Sequence, residues 1–222
     1  MRYMNLQGGD NDIPKEFYEL TFSYVKDGAS VLNLGCGSRF NFERSLSKIK
    51  DVDITSVDII DIKEKPKFIE KFLKKSVEEN IHFESKFDVV TLFELIEHID
   101  KTDILLKNCF NNLKDDGILI LSFPNLASIY SRFELMLGFQ PHILEVSNEQ
   151  ANFGAGIFGR LNNRGNQPIH HIRGITHRAM KEMLEFNGFE IIKVIGYGWR
   201  LKKLFYYFPS IAPVNIFICL KK

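Results

Sequence analysis

The chain has 222 residues, 45% of them hydrophobic, which fits one globular domain near the upper end of the usual size range. Its 29 lysines and arginines nearly balance 28 aspartates and glutamates, so the formal net charge is +1. That balance argues against a nucleic-acid partner, which normally demands a strong basic excess. Three widely spaced cysteines, Cys36, Cys109 and Cys219, argue against a disulfide framework and against a metal site.

The N-terminal part predicts a helix, a strand and a second helix. The opening "MRYMNLQGGDNDIPKEF" has no apolar core of signal-peptide length, so we expect a cytoplasmic protein. The amphipathic stretch from Lys15 to Val25 predicts a helix that is closed at Gly28. The run "SVLNL" predicts a short buried strand, after which Asn41 is expected to cap a helix through "FERSLSKI".

The middle of the chain alternates apolar runs with helical patterns. "DITSVDII", "FDVVTLF" and "ILILSFP" predict buried strands, and "KFIEKF" near Lys67 is a weaker strand candidate whose spacing also suits a helix. "DKTDILLKNCFNNL" predicts a helix, and "LKDDG" a turn. Continuous apolar strands that alternate with helices indicate a parallel sheet with both faces covered, which is an α/β fold.

The last hundred residues are more irregular. Residues 128–137 predict a helix, and residues 138–175 form a long region rich in Gly, Asn, Gln and His, which we interpret as a lid or substrate region inserted in a single domain of residues 1–222. Thr176 is expected to cap a helix that ends at Gly188, and "FEIIKVIGYG" and "VNIFICL" predict the final strands. Residues 201–222 are very apolar, but Pro209 and Pro213 interrupt them, so we expect no membrane span.

The stretch "VLNLGCGSRF" places two glycines directly after the first strand. Gly35 and Gly37 would bring bare backbone to the crevice where an open parallel sheet binds its ligand, although a simple tight turn is the alternative. Asp58 ends the second strand about 20 residues later, where a carboxylate can accept hydrogen bonds from a ribose diol. Phe40 occupies the third glycine position of the dinucleotide pattern, which argues against NAD and for another adenosyl cofactor.

Five segments in order carry a family resemblance: "VLNLGCG", "VDI", "FDVVTLFELIEHI", "LKDDGILILSFPN" and the "GF" before a late strand. Together they resemble the successive motifs of class I S-adenosylmethionine-dependent methyltransferases. The resemblance implies a Rossmann-like three-layer sandwich with a seven-stranded, mostly parallel sheet, whose antiparallel last strand is inserted between strands five and six. It also implies S-adenosylmethionine as the cofactor. No metal site is predicted, because the cysteines lack metal-site spacing.

The resemblance assigns cofactor-binding roles to specific positions. Gly35 and Gly37 would lie against the methionine part, Asp58 would hold the ribose hydroxyls, and Ile59 would pack on the adenine. Serine at position 76 departs from the acid common in the family. The remaining predicted cofactor contacts are Cys36, Ser38, Ser76, Val77, Phe93, Glu94 and His98, although His98 could equally be a structural histidine.

The acceptor side is predicted from "PIHHIRGITHRAM". His171 and, with less support, His170 are candidate bases, because histidine can take a proton near neutral pH. Arg173 and His177 are candidate substrate contacts, since arginine can clamp an anionic group. The alternative is that these side chains only pack or cap the following helix. The motifs of DNA-methylating enzymes are missing from the sequence, which favours a small-molecule or sugar-linked acceptor.

Two functions are compatible with these features. The leading one is methyl transfer from S-adenosylmethionine to oxygen or nitrogen of a small molecule or glycan precursor; the segments from "FPNLASIYSRFELMLGFQPH" onward resemble methyltransferases found with cell-surface polysaccharide genes. The alternative is a protein that binds the cofactor without turnover and uses residues 138–175 as an interaction surface.

Overall fold

The computed structural model describes residues 14–161, 167–198 and 200–222. Seven strands form one sheet in the order β3-β2-β1-β4-β5-β7-β6. Neighbouring strands from β3 to β5 are parallel, and β7 is antiparallel to both β5 and β6. The predicted sheet, including the inserted antiparallel last strand, is confirmed. The strands are β1 Ala29–Leu34, β2 Val52–Asp58, β3 Lys71–Lys74, β4 Phe87–Phe93, β5 Leu113–Pro124, β6 Phe189–Tyr197 and β7 Val214–Lys221.

Helices cover both faces of the sheet, which explains why the central strands are mostly apolar. On one face, Leu32 of β1 packs with Leu105 of α3 and Met180 of α6; on the other, Val31 packs with Phe17 of α1 and Leu46 of α2. Alternate residues of one strand therefore enter different cores. The helices are α1 Lys15–Glu19, α2 Asn41–Leu46, α3 Thr102–Asn112, α4 Ile129–Met136, α5 Gly156–Leu161, α6 His177–Phe186 and α7 Lys202–Tyr207.

Several predicted boundaries are confirmed by their capping contacts. The Ser128 and Thr176 side chains accept hydrogen bonds from the backbone N–H groups of Ser131 and Ala179, so they cap α4 and α6 as Ser and Thr commonly do. Gly188 follows α6 with φ +86°, a conformation that glycine adopts without steric cost.

Other boundaries differ from the sequence predictions. The first helix is shorter than predicted, and a separate 3₁₀ turn, Phe22–Tyr24, follows it. Asn41 does not cap α2; Phe40 holds the N-cap position, with no side-chain cap hydrogen bond. β3 begins at Lys71, later than "KFIEKF" indicated. The "LKDDG" segment lies within β5, as an irregularity in its pairing with β4 where Asp116 has φ +60°.

The apolar C-terminal region contains a short helix rather than only a loop. Helix α7 buries Phe205 and is followed by the 3₁₀ turn Pro209–Ile211 before the chain enters β7. None of the helices in the described parts of the chain has the length and apolar content needed to cross a membrane.

Candidate cofactor site

The glycine turn after β1 has the backbone conformation that the sequence pattern predicted. Gly35 and Gly37 have φ values of +74° and +62°, in the left-handed region that favours glycine. The Gly35 N–H donates to the Val57 carbonyl of β2 at 2.8 Å, and a Cβ atom added at Gly35 would lie 2.8 Å from Leu95 Cδ1. The turn therefore favours glycine at position 35 for its conformation, and a Cβ atom there would also displace the end of the Leu95 side chain.

Phe40 adopts φ +51°, the same left-handed region, at the position where the dinucleotide pattern has its third glycine. This conformation costs a residue with a Cβ atom about 1–2 kcal/mol. The Phe40 ring is 4% exposed and lies 6.1 Å, centroid to centroid, from the ring of Phe72. Burial of an aromatic side chain stabilises by roughly 1.5–3 kcal/mol, enough to offset the strain. The turn thus keeps its shape without a third glycine.

Asp58 joins the ends of β1 and β2. Its Oδ2 atom accepts a hydrogen bond from the Gly37 N–H at 2.9 Å, and its Oδ1 atom accepts from the Ile59 and Ile60 N–H groups at 2.7 and 3.2 Å. A carboxylate offers about four acceptor positions, so capacity remains for a ligand hydroxyl. Ile59 is 39% exposed directly beside it, as an apolar surface for a flat ring would be.

A buried polar network lies beneath this turn. The sequence did not predict it. Glu43 of α2 accepts hydrogen bonds at Oε1 from Asn33 Nδ2 (2.7 Å) and Ser56 Oγ (2.8 Å), and Thr91 Oγ1 donates to Asn33 Oδ1 at 2.8 Å. The network ties α2 to β1, β2 and β4. Burial raises the pKa of Glu43 to about 7, against the opposing effect of its two donors. The only sequence signal was a glutamate three residues before buried Leu46, on the helix face toward the sheet.

The raised pKa of Glu43 should make the free energy of unfolding depend on pH. Between about pH 4.5 and 7 the folded state holds a proton that the unfolded chain has released, so the free energy of unfolding should fall as pH rises through this window. The fall is on the order of 3 kcal/mol. In Glu43→Gln the fall should be smaller by this amount, as urea unfolding at pH 4.5 and 7.5 would measure. Glu84→Gln, at an exposed side chain, controls for loss of a charge, and an unchanged slope in Glu43→Gln would contradict the assignment.

The remaining predicted cofactor residues lie around the ends of β1, β3 and β4. Glu94 has φ +47° and accepts a hydrogen bond from Ser122 Oγ at 2.7 Å, while the Phe93 ring packs in the core 4.9 Å from that of Phe42. The loop carrying Val77 is fixed by Asn108, whose side-chain amide donates to the Val77 carbonyl at 2.9 Å.

Three more of these residues have smaller roles in the geometry. Ser76 Oγ accepts from the Glu78 N–H at 3.2 Å, and Ser38 is exposed at the turn. Burial raises the pKa of the Cys36 thiol far above its ordinary value, so Cys36 is not a nucleophile at neutral pH. Its contribution to a ligand is limited to its backbone and its buried bulk.

The predicted histidines converge on the 3₁₀ turn that follows β4. The Ile172 and Arg173 N–H groups both donate to the Glu97 carbonyl at 3.0 Å, which brings residues 170–173 against Ile96–His98. The rings of His98 and His171 then lie 4.8 Å apart, edge to face. Burial lowers the pKa of His98, which favours its neutral form.

The side chains of the two predicted substrate residues contact other partners than the histidine cluster. Arg173 donates to the Ile99 carbonyl at 3.2 Å and pairs with Asp100. His177 Nδ1 lies 2.9 Å from Asn215 Oδ1, and its ring stacks 5.3 Å from that of Phe217, so it packs against β7. These contacts match the packing alternative, and the substrate roles of both residues stay predictions.

Sequence reasoning also missed Glu97, which is buried beside the histidines. Its side chain is 2% exposed, and neither carboxylate oxygen has a hydrogen-bond partner among the described residues. Burial, together with the negative charge of Glu94, raises the pKa of Glu97 well above its usual range. The "FELIEHI" segment contains Glu94, Glu97 and His98 in close spacing, a signal that was available in the sequence.

Curated relatives align with about half of the chain. A ubiquinone biosynthesis O-methyltransferase of Glaesserella parasuis is 27% identical over 128 residues, which cover 48% of this chain and 52% of that protein. An (S)-coclaurine N-methyltransferase of Papaver somniferum is 33% identical over 107 residues, covering 44% of this chain and 30% of that protein. The chain thus spans about half the length of the first relative and less of the second.

Solved structures share the fold along nearly the whole chain. An S-adenosylmethionine-dependent methyltransferase from Methanosarcina mazei superposes with a TM-score of 0.61 at 14% identity, covering 91% of this chain and 96% of that one. Phosphoethanolamine N-methyltransferase 2 of Haemonchus contortus, solved with phosphomonomethylethanolamine and S-adenosylhomocysteine, gives 0.61 at 16% identity, covering 93% and 52%. At these identities the likeness establishes the fold.

The family assignment comes from a match over most of the chain. The methyltransferase-domain family matches residues 11–194, a range that includes the glycine turn, Asp58, the Glu94–His98 segment and the histidines at 170 and 171. The chain therefore belongs to the methyltransferase-domain family, which confirms its resemblance to class I S-adenosylmethionine-dependent methyltransferases.

Proposed function

We propose that the protein transfers the methyl group of S-adenosylmethionine to oxygen or nitrogen of a small-molecule or glycan-precursor acceptor. The observation that carries the proposal is the 2.9 Å contact between the Gly37 N–H and Asp58 Oδ2, in a chain of the methyltransferase-domain family. That contact joins the glycine turn to an acceptor for ribose hydroxyls at the carboxyl ends of β1 and β2, where parallel sheets bind ligands. The names of the relatives include both O- and N-methyltransferases, all of small molecules.

The reaction requires alignment more than activation. The sulfonium methyl is already electrophilic, and holding a nucleophile in line with it can supply about 7–11 kcal/mol of the barrier reduction. The acceptor atom forms a bond to the methyl carbon while the carbon–sulfur bond breaks, leaving a neutral thioether. Proton release is needed only from a protonated hydroxyl or amine.

His171 is the better placed of the two predicted bases. Its Nδ1 atom lies 2.7 Å from the Ile143 carbonyl, which can only accept, so Nδ1 carries the proton and Nε2 can receive one. His170 contributes its backbone carbonyl to His98 Nδ1 at 3.1 Å and has φ +61°. His171 is therefore the proposed proton acceptor, and His170 is a positioning residue.

A radiolabelled methyl-transfer screen tests the proposal. Purified protein would be incubated with S-adenosyl[methyl-³H]methionine and panels of phenols, sugars and amines, and labelled product would be counted. We expect transfer to members of at least one panel. Cofactor binding measured by calorimetry, with no transfer to any panel, would favour the alternative of a cofactor-binding protein without turnover. The described residues offer no observation that supports this alternative.

We further propose that the described parts of the 138–175 region act as a lid over the crevice. The Phe139 and Phe158 rings pack 5.3 Å apart, and the Gln140 N–H donates to the Gly154 carbonyl at 3.0 Å, so the segment folds on itself. Phe153 and Ile157 are 52% and 59% exposed, which leaves apolar surface available for closure. A closing lid would exclude water from the reacting atoms.

Hydrogen exchange tests the lid. Protection of residues 150–161 and 167–175 should rise when S-adenosylhomocysteine and an acceptor are both bound, while α3 should stay unchanged as an internal control. Exchange that is identical in the free and bound states throughout these residues would contradict the proposal. Gly165 and Arg164, which belong to the same predicted region, lie outside the described residues.

A further inference from the structure

Glu97, in the 3₁₀ turn Ile96–His98, carries a buried carboxyl group. Both of its oxygens lack a hydrogen-bond partner among the described residues, although the side chain is only 2% exposed. Leaving a buried carboxyl group unsatisfied is costly, and it becomes charged in the interior only where it is paired or coordinates a metal ion. The carboxylate therefore points to a positively charged ligand.

Two histidines direct ring nitrogens toward the same carboxylate. His171 Nε2 lies 3.7 Å and His98 Nε2 lies 4.0 Å from Glu97 Oε1, distances too long for hydrogen bonds. One nitrogen of each His and one oxygen of Glu97 all lie within 4.8 Å of one another. Ligand atoms that sit 2.0–2.2 Å from one metal ion are separated by about 3–4 Å, so the three side chains would have to move together by less than about 1 Å to bind an ion.

The other ring nitrogens are held as metal-ligating histidines usually are. His98 Nδ1 faces the His170 carbonyl at 3.1 Å, and His171 Nδ1 faces the Ile143 carbonyl at 2.7 Å. Because a carbonyl only accepts, each Nδ1 carries the proton and each Nε2 keeps its lone pair. Such outer contacts fix the tautomer and ring orientation of metal ligands.

Although the sequence predicted no metal site, we propose that Glu97, His98 and His171 bind a divalent first-row transition metal ion, such as Zn²⁺ or Mn²⁺. Two imidazoles and one carboxylate suit these ions, whereas Mg²⁺ and Ca²⁺ prefer oxygen ligands alone. The His98 side chain is 24% exposed, so one side of the site is open to solvent and to an added ligand. A three-ligand set of this kind leaves positions for exogenous oxygen.

The ion would define the acceptor class, an inference that rests on the proposed function. Glu97 follows Glu94 by three residues at the end of β4, beside the predicted methyl-donor position. A hydroxyl bound to the ion would release its proton to water, because a bound metal lowers the pKa of an attached oxygen acid. The alkoxide would attack the methyl carbon as the carbon–sulfur bond breaks, giving an ether and a neutral thioether. The acceptor is then a hydroxyl compound. With the ion bound, Nε2 of His171 would be a ligand, and water would take the proton in place of His171, the proton acceptor proposed for the metal-free protein.

Metal binding can be measured without any acceptor. Protein treated with EDTA and desalted would be titrated with Mn²⁺ and with Zn²⁺ by calorimetry, in the wild type, Glu97→Gln, His171→Ala and the exposed control His82→Ala. We expect one ion per chain in the wild type and His82→Ala, and affinity at least tenfold weaker in Glu97→Gln and His171→Ala. Equal affinity in all four proteins, or no binding to the wild type, would overturn the proposal.

Two further measurements test the identity of the metal ligands and separate metal binding from cofactor binding. Electron spin-echo modulation of Mn²⁺ bound to the wild type should show two histidine nitrogens, which is independent of whether any variant folds; a spectrum without nitrogen coupling contradicts the site. Titration with S-adenosylhomocysteine on the same samples separates the two proposals. Cofactor binding without metal binding would contradict only the proposed metal site. Metal binding without cofactor binding would contradict only the proposed methyltransferase function.

Discussion

Gly37→Val should weaken S-adenosylmethionine binding at least a hundredfold. Gly37 has φ +62°, which a β-branched residue avoids, and its N–H donates to Asp58 Oδ2. A valine there would force the turn to move and would place a side chain where the cofactor needs bare backbone. The cofactor-free protein should lose only about 1–2 kcal/mol of unfolding free energy. Calorimetry and urea unfolding would give the two quantities separately.

Gly28→Val is the matched control for this substitution. Gly28 has φ +77°, a similar conformation, but it precedes β1 at the opposite end of the strand, and a Cβ atom added there would have no heavy atom within 4 Å. It should therefore lose comparable stability and keep its cofactor affinity. If both variants bind the cofactor equally well, the glycines of the β1 turn serve only to make a turn.

Asp58→Ala should reduce cofactor affinity by roughly 1.5–3 kcal/mol, the range for hydrogen bonds to a charged acceptor. The substitution removes the proposed acceptor of the ribose hydroxyls and, at the same time, the contact that braces Gly37. Asp58→Asn keeps one neutral acceptor oxygen, so its affinity should lie between those of the wild type and the alanine variant. Calorimetric titration with S-adenosylhomocysteine would rank the three proteins. A folded Asp58→Ala protein with wild-type affinity excludes the ribose assignment.

The sheet was predictable because its sequence pattern is local. Runs such as "FDVVTLF" are mostly apolar because neighbouring residues such as Val89 and Val90 enter different cores, one on each face of the sheet. The inserted antiparallel strand β7 does not follow from that periodicity; it came from the family resemblance. The glycine turn and Asp58 were predictable from their local sequence pattern and from the family resemblance.

The features that were missed depend on contacts between distant segments. Phe40 holds a left-handed conformation because its ring is buried against Phe72, which no local preference of phenylalanine indicates. Glu43 is charged in the sequence and reads as a surface residue, yet Asn33 and Ser56 accommodate it in the interior. Such polar networks are specified by tertiary geometry and leave little periodic signal.

The histidines illustrate the same limit at the candidate site. His98 was predicted beside the cofactor and His171 as a base, but nothing in the spacing showed that their rings pack together around Glu97. The backbone hydrogen bonds from Ile172 and Arg173 to Glu97 create that meeting. The local sequence predicted the histidines as site residues, but the cluster depends on how the loop folds.

A crystal structure with S-adenosylhomocysteine bound tests the central claim most directly. We expect that at least one ribose hydroxyl lies within hydrogen-bond distance of the Asp58 carboxylate, that the adenine packs on Ile59, and that the homocysteine part passes the Gly35–Gly37 turn. A ligand bound elsewhere, or in the crevice with its ribose away from Asp58, would contradict the account.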